Sequence, residues 1–451
     1  MLNVLASEIE AIPENTLHGR VAAVQGMVIE LAGPVRSMRV GTRLDIEDAG
    51  HSGGHPGLVA CEVVGFRGDR AVALPLDPID GIRMGCRAII ARDQPSVYPS
   101  GDWLGRVING RGQPIDGDNF LARGSQAYPL RAGPPPAHKR SRVGGPIDLG
   151  VRALNTFATC CRGQRMGIFA GSGVGKSVLF SMLARNADAD VMVIGLIGER
   201  GREVQEFLED DLGPDGLKRA VVIVATSDEP PVVRRQAAQV TMAVAEYFRD
   251  QGKNVLLMMD SLTRFAMAQR EIGLATGEPP TAKGYTPTVF SELPRLLERA
   301  GPGMKGSGDI TGLFTVLVEG DDHNEPVADA VRAIVDGHIV MERAIAERGR
   351  YPAINVLRSV SRTMPRAADP EYLPIITRAR SLMSTYSDME ELIRLGAYRK
   401  GSDPAVDEAI EKQGALEAFL GQGKDDVMSM AEAYQALERI VLGGDQEALP
   451  E

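Results

Sequence analysis

The chain has 451 residues, too long for one compact core, and its 43% apolar and 24% charged content is that of a globular protein, so two or three domains are expected. The formal net charge of −10 argues against nucleic-acid binding through bulk charge. No apolar run reaches the roughly 18 residues of a membrane span, and the start, MLNVLASEIEAIPEN, lacks the basic region of a secretory signal.

Residues 1–17 carry Leu2, Leu5, Ile9 and Ile12 ahead of Pro13, the spacing of one short amphipathic helix. So short a helix is marginal alone, so it is read as a segment that docks on a partner. Residues 18–95 change pattern. Short β-rich runs (Val21 to Val24, Val28 to Leu31, Leu58 to Val64, Ala71 to Leu74, Ala88 to Ala91) alternate with Gly and Asp clusters, which suggests a small all-β barrel. His51 and His55 sit in one of the Gly-rich loops. Two histidines without further ligands read as solvated rather than as a metal site. The cysteines, Cys61, Cys86, Cys160 and Cys161, lack metal-ligand spacing and read as buried thiols in a reducing cytoplasm.

Residues 96–365 open with turns around Gly105 to Gly110 and Pro114 to Gly117. A locally basic connector with Lys139, Arg140 and Arg142 follows, read as a solvated loop rather than a nucleic-acid contact. Strands and helices then alternate. The strands (Met166 to Ala170, Val191 to Ile197, Ala220 to Ala225, Val255 to Asp260, Leu313 to Val318, Ile339 to Met341) are continuous apolar runs, as in a parallel sheet covered on both faces. Helical patterns at Lys176 to Asn186, Val232 to Asp250 and Leu262 to Gly273 complete a doubly wound α/β domain. Residues 366–451 read as helical. One helix is capped at Ser387 and closed by Gly396, one opens at Ser402-Asp403-Pro404 and ends near Gly421, and one runs from Asp425 to Leu442.

The stretch from Ala170 to Ser177, AGSGVGKS, is a phosphate-binding loop between a strand and a helix, with Ala at the first motif position. Its glycines let several N–H groups converge on one anion, and the helix N-terminus adds its dipole. Gly171, Ser172, Gly173, Val174, Gly175, Lys176, Ser177 and Val178 are therefore the candidate nucleotide cradle, with Lys176 on the outer phosphates and Ser177 offering a hydroxyl to Mg²⁺. Nucleotide hydrolysis also needs a second Mg²⁺ partner, a base for water and positive charge for the transition state. Asp260 ends an apolar strand, where a Mg²⁺-shell carboxylate belongs. Glu199 ends another and is the candidate to orient and deprotonate water. Arg264, one helical turn beyond Asp260, can point back at the phosphates or at an acid nearby.

Together the stretches AGSGVGKS, GERGREVQEF, VLLMMDSLTRFAMAQREIGLATGEPP, FSELPRLLERAG, LVEGDDHNEP and YPAINVLRSVSR resemble the catalytic ATPase of flagellar and type III protein export. The likeness runs from about residue 19 to 442. That family is similar to the catalytic subunit of rotary ATP synthases. The resemblance implies an N-terminal β-barrel, a RecA-like P-loop core and a C-terminal helical domain, in a homohexameric ring with ATP and Mg²⁺ sites at subunit interfaces. Residue by residue it implies Lys176 and Ser177 as the phosphate and Mg²⁺ contacts, Glu199 as the catalytic glutamate with Arg200 beside it, and Asp260 in the Mg²⁺ shell. It further implies Arg264 as a phosphate-side arginine, Tyr351 stacked on adenine, and Arg362 as an arginine finger given to the adjoining subunit. No residue matches the second adenine wall. A stator-like regulatory partner at residues 1–12, and docking at the cytoplasmic face of an inner-membrane export gate to release chaperones and unfold substrates, are implied likewise.

Rival readings are weaker. The Gly198-Glu-Arg-Gly-Arg-Glu-Val motif together with Arg362 fits an export homohexamer better than a rotary synthase subunit. An RNA helicase of related core would want exposed aromatics and a basic N-domain, and a non-catalytic subunit would lack Glu199. A virulence secretion ATPase remains the neighbouring alternative.

Overall fold

The computed structural model describes residues 17–48, 57–91, 95–118, 120–318, 320, 322 and 325–443. The expected helix before Pro13, the loop of His51 and His55, and the residues after Gly443 lie outside these.

Six strands close an antiparallel barrel: β1 (His18–Gln25), β2 (Val28–Ala32), β3 (Arg43–Asp48), β4 (Gly57–Arg67), β5 (Arg70–Pro75) and β6 (Arg87–Ile90), in the order β1-β2-β5-β4-β3-β6. Closure leaves no sheet edge unpaired. β3 is not among the expected strands, because its Leu44 and Ile46 alternate with Arg43, Asp45 and Glu47 instead of forming an apolar run. Those two side chains are fully buried with Ile29, Leu31 and Val63 in the barrel's own core.

Glu62 of β4, almost fully buried, holds the barrel to the next domain. It pairs with Arg235 of the helix Pro231–Asp250 and with Arg43 at 3.4 Å. Burial alone would raise its carboxyl, but the Arg235 and Arg43 guanidiniums outweigh that and hold it below the usual range.

β7 (Ser96–Val97) and β9 (Tyr128–Pro129) form a short ribbon. Between them, β8 (Val107–Asn109) joins the main sheet beside β12, so the region read as turns also supplies an edge strand. The sheet contains β10 (Arg165–Ala170), β11 (Val191–Glu199), β12 (Ala220–Thr226), β13 (Val255–Asp260), β15 (Asp309–Leu317), β16 (Gly337–Met341) and β17 (Ile354–Ser361), with the short β14 (Gly301–Pro302) hairpinned on β15. Its order is β17-β16-β10-β15-β13-β11-β12-β8. All of this path is parallel except β17, which runs antiparallel to β16. The helices Pro231–Asp250, Leu262–Thr276 and Pro287–Leu297 cover one face.

The other face packs on Lys176–Asn186 and on the C-terminal helices Leu373–Arg394, Pro404–Leu420 and Met430–Leu442. Leu154, Phe157, Leu382, Phe419 and Leu437 share one continuous core, so these helices pack directly on the ATPase sheet.

Asp403 caps its helix as expected, accepting from Ala405 N at 2.8 Å. Ser387 does not cap: it lies within a helix that already runs from Leu373 to Arg394. Pro374 in that helix's first turn is the start signal, and Gly396, at φ 69°, follows its end. The last helix starts at Met430 rather than Asp425, under a capping box of Ser429 and Glu432. All four cysteines are buried thiols. Arg140 is tied to Glu298 and is not a free member of a basic loop.

Candidate active site

In a parallel sheet the C-terminal strand ends open on one crevice. Here β10 runs into the phosphate loop, and β11 and β13 deliver Glu199 and Asp260 to the same edge, Leu196 lying opposite Asp260 in register. The cleft, of about 370 Å³, is lined by Gly171, Ser172, Gly173, Gly175, Lys176, Ser177, Val178, Glu199, Arg200, Glu203, Ser261, Arg264 and Leu317. Val174, by contrast, is wholly buried in the core, so only its backbone can serve a ligand. Gly175 takes φ 87° at the start of the helix Lys176–Asn186, which bends the chain so that the helix N-terminus faces the cleft.

Lys176 Nζ bonds both Asp260 carboxylate oxygens and lies 3.9 Å from Glu199. Burial alone would lower its pKa, but Asp260 and then Glu199 outweigh burial and keep the ammonium charged. Asp260 also accepts from Thr315 Oγ1 of β15 at 2.7 Å, which fixes its rotamer. The cap of the following helix is Ser261, whose hydroxyl accepts from Arg264 N, so Asp260 is left to pair with Lys176.

Glu199 has only 17% of its side chain exposed. Burial, and next the Asp260 charge, push its carboxyl up to about 8 against the pull of Lys176, with a hydrogen bond to Glu203 adding to the rise. A carboxyl held near neutrality in a cleft is poised for proton transfer.

Arg264 lines the cleft with its stem packed against Gly198, where an added Cβ would sit 2.7 Å from the Arg264 Cβ. Arg200 is exposed at the rim, 3.8 Å from Glu203. Tyr351 lies beside the loop: a Cβ on Gly175 would meet its ring carbon Cδ1 at 3.2 Å. Its carbonyl accepts from Gln422 N of the C-terminal part at 2.8 Å.

Arg362 is elsewhere. It follows antiparallel β17, and its backbone N bonds Asp336 O, ahead of β16. That is the N-terminal end of the parallel strands, beside Arg165, whereas the phosphate loop follows Ala170. Five rises of about 3.3 Å separate the two ends, roughly 17 Å, beyond the reach of one side chain. One copy of the chain therefore cannot bring Arg362 to its own loop.

Three contributors are absent from the sequence reading: Thr315, Glu203, and Arg343, whose Nη2 donates to Ser172 O of the loop at 2.8 Å. Glu203 lies in the first turn of the helix Gly201–Glu206, which follows the strand that ends in Glu199. Thr315 and Arg343 carry no local signal.

The nucleotide-binding domain of the ATP synthase alpha/beta family matches residues 150–361, and the C-terminal domain of the type III secretion ATPase EscN matches residues 368–439. A flagellum-specific ATP synthase of Caulobacter vibrioides is 58% identical over 442 residues, 97% of this chain and 98% of that protein. The chain belongs to the family of flagellum-specific and type III secretion ATPases. The assembled ATPase EscN of enteropathogenic E. coli superposes with a TM-score of 0.87 at 40% identity, covering 94% of this chain and all of EscN. EscN in complex with its central stalk EscO gives 0.84 at 40% identity, with the same coverage. Membership of this export-ATPase family accounts for a barrel, a P-loop sheet and a helical end in one chain, and for an ATP-binding hydrolase site at the strand ends.

Proposed function

We propose that this chain hydrolyses Mg-ATP within a homohexameric ring that energises flagellar protein export, each ATP site being completed by the next copy. One observation carries the reading: Lys176 in the cleft contacts both Glu199 and Asp260, while Arg362 stands exposed at the opposite end of the same sheet.

Lys176 and the loop N–H groups hold the phosphates and leave the outer phosphoryl group facing Glu199. Glu199 orients the attacking water and takes its proton, Arg264 and Arg200 supply positive charge beside the cleft, and Tyr351 stacks on the adenine. Arg362 of the adjoining subunit stabilises the charge developing on the transferred group. The Ser177 hydroxyl and Asp260 carboxylate are hard oxygen donors suited to Mg²⁺, and Asp260 already holds a cationic ammonium. When bound, Mg²⁺ neutralises charge on the phosphate oxygens.

The match of residues 368–439 to a type III secretion domain supports export over ATP synthesis, and 58% identity to a flagellar relative against 40% to EscN supports the flagellar branch. By analogy with EscN and its stalk EscO, a central stalk and a stator-like protein on residues 1–12 are the expected partners. The export gate, chaperones and export substrates complete the set, at the cytoplasmic face of the inner membrane. No nucleic-acid partner is assigned.

The test is subunit mixing. Arg362→Ala and Lys176→Ala are each inactive alone. In equimolar mixtures, random assembly joins an intact loop to an intact arginine at about one interface in four, restoring that share of activity. No restoration in assembled mixed rings sinks the shared site.

A further inference from the structure

The side chain of Arg362 makes no hydrogen bond or ion pair among the described residues and is exposed. Its backbone is treated quite differently. Behind it lies Gln164, with no exposed surface. The Gln164 Nε2 donates to Ser361 Oγ at 3.0 Å and to Asp336 O at 3.3 Å, and its Oε1 accepts from Thr363 Oγ1 at 2.7 Å and from Cys161 N at 2.8 Å. Both sequence neighbours of Arg362 are thus held by one amide, every one of whose hydrogen-bonding sites is used.

The grip has a rigid base. Asp336 O also accepts from Arg362 N at 3.0 Å, and the Asp336 carboxylate is clamped by Arg165, Nε to Oδ2 and Nη2 to Oδ1, both at 3.1 Å. Ser361 Oγ donates onward to Thr159 O at 2.7 Å. Arg165 opens β10, the strand that ends in the phosphate loop, and Gln164 immediately precedes it, so the clamp ties Arg362 to the same rigid element that carries the loop at its other end.

We propose that Gln164 is a positioning residue for Arg362, aiming it at the ATP site of the neighbouring copy. The inference rests on the shared-site reading above. Replacing the amide by an apolar side chain strands the buried Cys161 N, at a cost in stability, but stability is not what sets this amide apart. What it does add is a single permitted backbone geometry, since any other would leave buried polar groups unpaired. Here that geometry belongs to three residues, Ser361, Arg362 and Thr363. A transition-state contact is sensitive to such control: a misplacement of about 1 Å lowers the rate by about a hundredfold.

The experiment uses the full-length chain with Gln164→Leu, Thr363→Val and Arg362→Ala. Ring formation is checked by light scattering and nucleotide affinity by a fluorescent ATP analogue. The expected result is a kcat about ten- to a hundredfold lower for Gln164→Leu and a smaller fall for Thr363→Val, with nucleotide affinity held within about twofold of wild type. Mixing either with Lys176→Ala restores activity as Arg362→Ala does, whereas mixing either with Arg362→Ala restores none. If Gln164→Leu fails to fold, Thr363→Val, at a half-buried position, carries the same comparison alone. The proposal is overturned if Arg362→Ala is restored by Lys176→Ala and the clamp variants are not, or if affinity falls in step with kcat. Failure of Arg362→Ala itself to be restored removes the shared-site reading first, and this inference with it.

Discussion

Glu199→Gln separates proton transfer from binding at this site. The amide keeps the size and nearly the shape of the carboxyl but cannot accept water's proton. Loss of a general base lowers the rate by about 10²–10⁴, or about 3–5 kcal/mol of barrier. The structure adds a pH signature. Burial and the Asp260 charge hold the carboxyl up at about 8, so the basic form grows about tenfold per pH unit below that value. Steady-state assays of kcat/KM should therefore climb from about pH 6 and level near pH 8 in the wild type, and lose that slope in the variant. Stability carries the same sign. The folded carboxyl binds its proton up to about 8, whereas its ordinary value is 4.5, so between those values the native state holds more protons and wild-type stability falls as pH rises. The variant lacks that decline, so its melting temperature should gain on the wild type from pH 5 towards pH 8. Turnover within about tenfold of wild type, or an unchanged pH slope, would refute the assignment of Glu199 as base.

Tyr351→Ala should raise the KM for ATP by about tenfold with kcat little changed, since base stacking is worth about 1–3 kcal/mol and is not specific to the transition state; initial-rate kinetics decide it. Gly198 holds φ 70°, and an added Cβ would meet the Arg264 Cβ at 2.7 Å. Gly198→Ala should therefore lower kcat by displacing Arg264 and cost about 1–2 kcal/mol of stability for the left-handed backbone, read from kinetics and a urea midpoint. Arg299 and Glu246 form a buried ion pair, 3% and 6% exposed, at 2.7 Å. Arg299→Ala strands the carboxylate and should cost about 3–5 kcal/mol in chemical denaturation.

What could be read in advance follows the range of the interactions. The helix Lys176–Asn186 and the strand Val255–Asp260 match their expected limits, because a phosphate loop and an apolar strand end are written in neighbouring residues. Ser387 misled because its cap pattern is equally tolerated inside a helix whose packing on the sheet extends it to Arg394. β3 was missed because one-sided burial looks polar in sequence. The contribution of Thr315 to Asp260 required knowing that β15 lies beside β13.

The sequence by itself determined the chemistry: a phosphate loop, acids at strand ends and candidate arginines, each defined by a few adjacent residues. Only the tertiary structure decided which of these meet. Sheet order put Asp260 and Glu199 at the ends of adjacent strands, β13 and β11, where Lys176 contacts both. The antiparallel return of β17 carried Arg362 to the far end, away from its own loop. Strand pairing across more than a hundred residues is settled by burial and hydrogen bonding of the whole sheet, which no local pattern encodes.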